Sequence, residues 1–184
     1  MIERELKIPV PGLADPRARL AAAGAKRLHA PQHEVNVLFD TADGRLSTAG
    51  EVLRVRQLGE ANILTFKGPA SFRGTVKERR EIELVVASRE RLVELFAALG
   101  FEPQMRYDKW RESWLLDEVR VELDRTPMGD FVELEGPAEA LETIARRIDL
   151  DPAAAVAGSY VSLWRDHCRR HPELGLGRDM VFEP

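Results

Sequence analysis

The sequence predicts an α+β fold of antiparallel strands covered by helices, and three observations carry that prediction. Segments in which apolar and charged residues alternate recur along the chain, most connections between them are short, and amphipathic helical patterns fall after the first strand, mid-chain and near the end. Short connections favour antiparallel neighbours. The clearest stretch is Val119 to Gly136, VRVELDRTPMGDFVELEG, two strands joined by a turn at Thr126-Pro127-Met128-Gly129. Val119, Val121 and Leu123 point one way, and Arg120, Glu122 and Asp124 the other. Val132 and Leu134 alternate in the same manner with Glu133 and Glu135.

Composition bounds the reading. A chain of 184 residues suits one domain over 1–184, with a core to about residue 165 and a C-terminal tail over 171–184. Charged residues make up 32%, above the usual quarter, so an excess of charge has to be placed somewhere. The formal net charge of −4 offers no basic field for nucleic acid. A lone cysteine, Cys168, allows no internal disulfide and fits a reducing compartment. No apolar run approaches membrane-spanning length, and the chain opens on charged residues, so the sequence predicts a cytoplasmic protein.

The elements follow in order. Ile2 to Pro9 reads as a strand, with Glu3, Glu5 and Lys7 on one side and Ile2, Leu6 and Ile8 on the other; Pro9 and Pro11 leave no room for a helix. Asp15-Pro16 reads as an N-cap and first-turn proline opening a helix through RARLAAA to Gly24. Strands are predicted over Glu34 to Asp40, Leu53 to Arg56 and Asn62 to Lys67, and the Gly68 to Thr75 loop is predicted to be mobile. In Val76 to Val86, Lys77, Arg79, Glu81 and Glu83 share one face. Ser88 caps a helix that Gly100 stops. Tyr107 to Leu115 is a strand carrying Lys109 and Arg111 on one face, followed by the hairpin, a helix from Gly136-Pro137 to about Ile148 and a last helix over Ser159 to about Arg170. Beyond it the tail has no clear period.

The helices supply apolar residues (Leu20; Leu92, Leu95 and Phe96; Leu141, Ile144 and Ile148) to cover the apolar strand faces. The charged faces are then either an open solvated sheet or the lining of a closed barrel. Such a lining cannot be desolvated without partners, because an unpaired buried charge costs several kcal/mol. A wet, ligand-filled lumen resolves the conflict. Acidic residues cluster on the first and last strands and basic ones on the middle strands, and a metal-bound polyphosphate satisfies both sets. Arg120 and Glu122 form either an ion pair or ligand contacts. No metal-like spacing links His29, His33, His167 or His171 with Cys168.

Several motifs then follow one another in a recognisable order: Glu3-Arg4-Glu5-Leu6-Lys7 as ExExK, Phe39-Asp40-Thr41, Leu53-Arg54-Val55-Arg56, and Phe66-Lys67-Gly68-Pro69. Lys77 to Glu83 follows as KxRxExE, then Lys109-Trp110-Arg111, Leu123-Asp124 with Gly129 to Glu135 as LD…GxFxExE, and Ser159-Tyr160 to Leu163 as SYxxL. In these the chain resembles the CYTH proteins, or triphosphate tunnel metalloenzymes, which include class IV adenylyl cyclases, thiamine triphosphatases and inorganic triphosphatases.

The resemblance implies an eight-stranded antiparallel closed β-barrel, charged inside, that binds a small-molecule triphosphate with Mg²⁺ or Mn²⁺. By the same resemblance Glu3, Glu5, Glu133 and Glu135 are the metal set, with Asp124 assisting. Lys7, Arg54, Arg56, Lys67, Lys77, Arg79, Lys109 and Arg111 hold phosphate oxygens, with Lys7, Arg56 and Lys67 as catalytic groups. Glu81 and Glu83 bind metal or orient the basic groups, and Glu122 is a further candidate. Asn36 stands where many members carry Asp, and neither Tyr107 nor Tyr160 lies on the second strand, where some triphosphatases of the family place a water-activating tyrosine. The expected reaction is hydrolysis of an inorganic or organic triphosphate. The alternatives are cyclisation of ATP to cyclic AMP and pyrophosphate, or a sensor that binds without turnover. Analogy with the family suggests a homodimer.

Overall fold

A computed structural model describes residues 2–182. Met1, Glu183 and Pro184, which the predicted domain and tail include, lie outside the described residues. The strands are β1 (Ile2–Val10), β2 (Lys26–Thr41), β3 (Val52–Leu58), β4 (Ala61–Lys67), β5 (Ser71–Arg73), β6 (Val76–Val86), β7 (Phe101–Leu116), β8 (Val119–Thr126) and β9 (Gly129–Glu135). Helices α1 (Ala14–Ala22), α2 (Arg45–Thr48), α3 (Arg89–Ala98), α4 (Ala138–Arg147) and α5 (Tyr160–Arg170) are set among and after them.

Neighbouring strands run β1-β9-β8-β7-β2-β3-β4-β6, all antiparallel, and β6 returns to β1 through Glu3 opposite Arg79 and Glu5 opposite Lys77. Eight strands therefore close into a barrel, as the sequence predicts, and β5 is a short extra strand folded back on β6. Closure removes the unpaired edges that an open sheet would present.

The hydrophobic core lies outside the barrel, between strands and helices. Leu6, Val121, Leu123, Val132 and Leu134 face outward and are sealed by Leu20 of α1 and by Leu141, Ile144 and Ala145 of α4. Leu92 and Phe96 of α3 cover Phe39 and Val55 on the β2–β3 side. A third cluster sits at one end of the barrel, where Met105, Tyr107 and Phe131 meet Tyr160 and Trp164 of α5. With every helix outside, the even face of one strand and the odd face of the next are free to carry charge inward.

Several local expectations hold for the stated reasons. The Ser88 hydroxyl accepts from Arg91 N at 3.2 Å, and Gly100 leaves α3 with φ 82°. Ser159 and Ser162 form a reciprocal cap on α5. Other expectations need correcting. Helix α1 begins at Ala14 with Leu13 at the cap and no side-chain cap bond, so Pro16 falls inside the first turn, where its missing N–H has no helical partner to lose. Leu95, expected to pack inward, is 52% exposed. The Gly68 to Thr75 segment, expected as a loop, contains the short strand Ser71 to Arg73 paired with Val76 to Glu78.

Strands β2 and β7 each run 16 residues, well past the predicted 34–40 and 107–115. Register shifts between Arg27 and His29 and between His29 and Gln32 break the alternation in the first half of β2, which is why that half shows no strand period. The tail lies across the barrel. Strand β8 pairs with β7 only from Trp110 onward, and Met180 takes the vacated edge: Asp108 N donates to Met180 O at 2.8 Å, and Met180 N to Arg106 O at 3.0 Å.

Leu134, fully buried between the barrel wall and α4, tests this outside core. Leu134→Ala should lower the free energy of urea unfolding by about 3 kcal/mol; an unchanged midpoint would show that the barrel does not depend on this layer.

Candidate active site

Strand alternation fills the barrel with charge. A cavity of about 920 Å³ occupies the interior. Its wall includes Glu3, Glu5 and Lys7 from β1, Arg54 and Arg56 from β3, Lys67 from β4, and Lys77, Arg79, Glu81 and Glu83 from β6. Lys109 and Arg111 from β7, Glu122 from β8, and Glu133 and Glu135 from β9 complete the predicted set. Of the predicted site residues, Asp124 alone is set back from the lining, at 0% exposure.

Glu3 and Glu5 of β1 and Glu133 of β9 are held by lysines. Lys67 Nζ lies 2.7 Å from Glu3 Oε1 and 2.9 Å from Glu81 Oε2. Lys77 Nζ is 2.7 Å from Glu5 Oε1, and Lys7 Nζ is 2.5 Å from Glu133 Oε1 and 3.6 Å from Glu5. Burial alone would raise the Glu5 carboxyl, but the Lys7 and Lys77 ammonium groups hold it down at about 2. Burial likewise acts against Glu133, and Lys7 and Arg111 keep it well below the usual carboxylate range. Glu81 goes the other way: burial, then the neighbouring Glu3, push it up to about 7 despite Lys67. Glu135 is raised by burial and by Glu3, and it makes no side-chain hydrogen bond or ion pair among the described residues.

The basic wall is anchored from behind. Arg111 donates through Nε to Asp124 Oδ1 at 2.7 Å and through Nη2 to Asp124 Oδ2 at 2.5 Å, and it also bonds Glu133. Lys109 Nζ donates to the same Asp124 Oδ2 at 3.0 Å. The oxygens of Asp124 are thus occupied by cationic donors, which makes this residue an anchor for Lys109 and Arg111. Arg54 donates to Tyr107 Oη and Thr65 Oγ1, each at 3.2 Å. Arg56 is 3.1 Å from Glu83. Arg79 spends Nε and Nη2 on Gly68 O, tying the loop after β4 to the barrel. Glu122 accepts from Ser113 at 2.5 Å rather than pairing with Arg120.

Sequence reasoning left three residues of this wall out of the site: Glu34, Tyr107 and Tyr160. Glu34, 2% exposed, lies 3.6 Å from both Arg56 and Lys109, and these with Arg111 hold its carboxyl down at about 2 against the opposing effect of burial. Asn36, on the same face of β2, is fully buried with neither amide atom hydrogen-bonded. The inward period Glu34-Asn36-Leu38 was visible but carried a single charge, too little to mark it as lining. Tyr107 and Tyr160 were the other omission, since both reach the cavity.

The donor set fits a divalent cation in kind: carboxylate oxygens from adjacent strands, with Glu5 opposite Glu135 and Lys7 opposite Glu133, suit a hard metal ion. The Glu81 and Glu135 carboxyls are raised by burial first and by the neighbouring Glu3 next. Among the described residues no three carboxylates converge on one point, so ligation would draw them away from their lysine partners.

Comparison with known proteins agrees with this geometry. The family model for the CYTH domain matches residues 1–149. A protein of Methanocaldococcus jannaschii named "Putative adenylate cyclase" is 28% identical over 136 residues, 73% of this chain and 77% of its own length. A Vibrio parahaemolyticus structure given the same name superposes with a TM-score of 0.80 at 18% identity, covering 90% of this chain and 98% of that one. A Hippeastrum protein described as a "putative adenylyl cyclase" with a dominant triphosphatase activity has a TM-score of 0.65 at 18% identity, covering 90% of this chain and 95% of that one.

The Glu34 carboxyl makes a pH prediction. Its folded value of about 2 lies below the ordinary 4.5, so its stabilisation is complete above pH 4.5 and is lost as pH falls towards 2. Wild type should exceed Glu34→Gln by on the order of 3 kcal/mol in urea unfolding at pH 6, with the gap closing between pH 4.5 and 2. A gap independent of pH would contradict the assignment.

Proposed function

The chain belongs to the CYTH domain family, and from that premise we propose that it is a metal-dependent triphosphatase acting on a small-molecule triphosphate held inside the barrel. One observation carries the reading: basic side chains of β1, β3, β4, β6 and β7 share a closed cavity with the carboxylates of β1 and β9. A linear triphosphate matches the first set through its oxygens, and a bound Mg²⁺ or Mn²⁺ matches the second.

In this reading Arg54, Arg56, Lys109 and Arg111 hold phosphate oxygens, with Lys77 and Arg79 further along the wall. Lys7, Arg56 and Lys67 are assigned to the charge that develops in phosphoryl transfer, where fixed cations lower the barrier. Glu3, Glu5, Glu133 and Glu135 would hold the divalent cation, which when bound would supply Lewis-acid charge neutralisation at the phosphoryl group. Asp124 acts behind them, keeping Lys109 and Arg111 in place. Glu81 and Glu83 orient Lys67 and Arg56, which they contact.

The cyclase alternative has one observation in its favour. Leu38, Met105 and Val161 make part of the cavity wall apolar at the α5 end, a surface that an organic group beyond the triphosphate can use.

Incubation with Mg²⁺ or Mn²⁺ and tripolyphosphate, thiamine triphosphate or ATP decides the matter. Release of inorganic phosphate, abolished by a chelator and restored by either ion, is the expected result. Cyclic AMP with pyrophosphate would replace the hydrolase by the cyclase, and binding without product would leave a sensor. Arg56→Met should lower kcat/KM by about 100-fold while the protein stays folded; unchanged turnover would remove Arg56 from the site.

A further inference from the structure

Part of the cavity wall comes from the start of α5 rather than from a strand. Tyr160, at the start of α5, is 7% exposed and lines the interior. Its hydroxyl donates to Asp124 Oδ2 at 2.7 Å, the oxygen that also accepts Lys109 Nζ and Arg111 Nη2. Its ring lies 4.3 Å from Lys7 Nζ and 5.2 Å from Lys109 Nζ, so one side chain touches both lysines.

We propose that Tyr160 is a positioning residue for the phosphate clamp, setting through Asp124 and its own ring how far Lys109 and Lys7 are free to meet a polyanion. The inference rests on the triphosphate reading and names the device that tunes it. Three donors share Asp124 Oδ2, and each is held less tightly than it would be alone. Without the hydroxyl, that oxygen turns to its remaining cationic partners, and Lys109 is drawn back from the lumen. The ring supplies a second support, a negative face beneath both ammonium groups that does not neutralise them as a carboxylate would. Burial and the Asp124 charge keep the phenol protonated, so it remains a donor.

Helix α5 has contacts besides this hydroxyl: Trp164 packs in one cluster with Met105, Tyr107 and Phe131 at the end of the barrel. Trp164 Nε1 donates to Gly177 O at 3.2 Å, the Ser159 cap closes the first turn, and Val156 N donates to Lys7 O at 2.9 Å. Helix α5 and the tail strap are therefore held by other contacts, leaving the Tyr160 hydroxyl to act on the lysines.

The test is a double-mutant cycle on binding of inorganic tripolyphosphate, measured by titration calorimetry on the full chain, with thermal unfolding followed for each variant. Tyr160→Phe keeps the ring and removes the donor. It should weaken binding about tenfold, and this loss should disappear when the same change is made in Lys109→Met. Equal binding by Tyr160→Phe and wild type would overturn the inference while leaving the triphosphate reading standing. A loss of the same size in the Lys109→Met background would also overturn it, since the effect would then run through the fold. Failure of wild type to bind tripolyphosphate would instead remove the underlying reading.

Discussion

A closed strand leaves no choice about where its second face goes. In this barrel every other residue of eight strands points into one lumen, and most of those residues are charged. An isolated buried charge is too costly to keep, so each must find an opposite partner or stay wet. The lumen does both. Lysines bridge the carboxylates of β1, β6 and β9, a row of arginine and lysine leans on Asp124, Glu34 and Glu83, and a cavity of about 920 Å³ remains between them. Burial, with Glu3 close by, raises the Glu81 and Glu135 carboxyls.

That constraint explains why the apolar core lies outside. With the lumen taken by charge, burial of Leu6, Leu123 and Leu134 has to come from α1 and α4, and burial of Phe39 and Val55 from α3. It also separates structural from chemical roles among the motifs. In Phe39-Asp40-Thr41 the aspartate accepts from Leu46 N at 2.8 Å and Ser47 N at 2.9 Å, capping the short α2. Its place is fixed by those backbone donors. Glu112, on the outer face of β7, meets Arg17 of α1 at 2.8 Å and so ties helix to barrel.

Much of this was legible in the sequence where alternation was strict. The charged faces of β8 and β9 could be read directly from alternation, and those of β1 and β6 from their inward rows Glu3-Glu5-Lys7 and Lys77-Arg79-Glu81-Glu83, despite Arg4, Glu78 and Arg80 on the outer side. The first half of β2 could not, since bulges at His29 and Gln32 disturb the period. Glu34 and Asn36 were hidden by a run with too few charges, although both are buried inward. Asp124 was read correctly as inward, yet only coordinates show its oxygens already occupied by Lys109, Arg111 and Tyr160. Tyr160 lies far from the strands in sequence, and no local pattern announces that a helix start enters the barrel.

The central claim is that the lumen's two sets of charge are completed together by a polyanion and a divalent cation. Crystals grown with tripolyphosphate and Mn²⁺ test it most directly through the anomalous signal of manganese. The account predicts an anomalous peak inside the barrel against the Glu3, Glu5, Glu133 and Glu135 carboxylates, with phosphate density reaching Arg54, Arg56 and Lys109. Manganese found only on the outer surface, with the lumen holding neither ion nor phosphate, would contradict it.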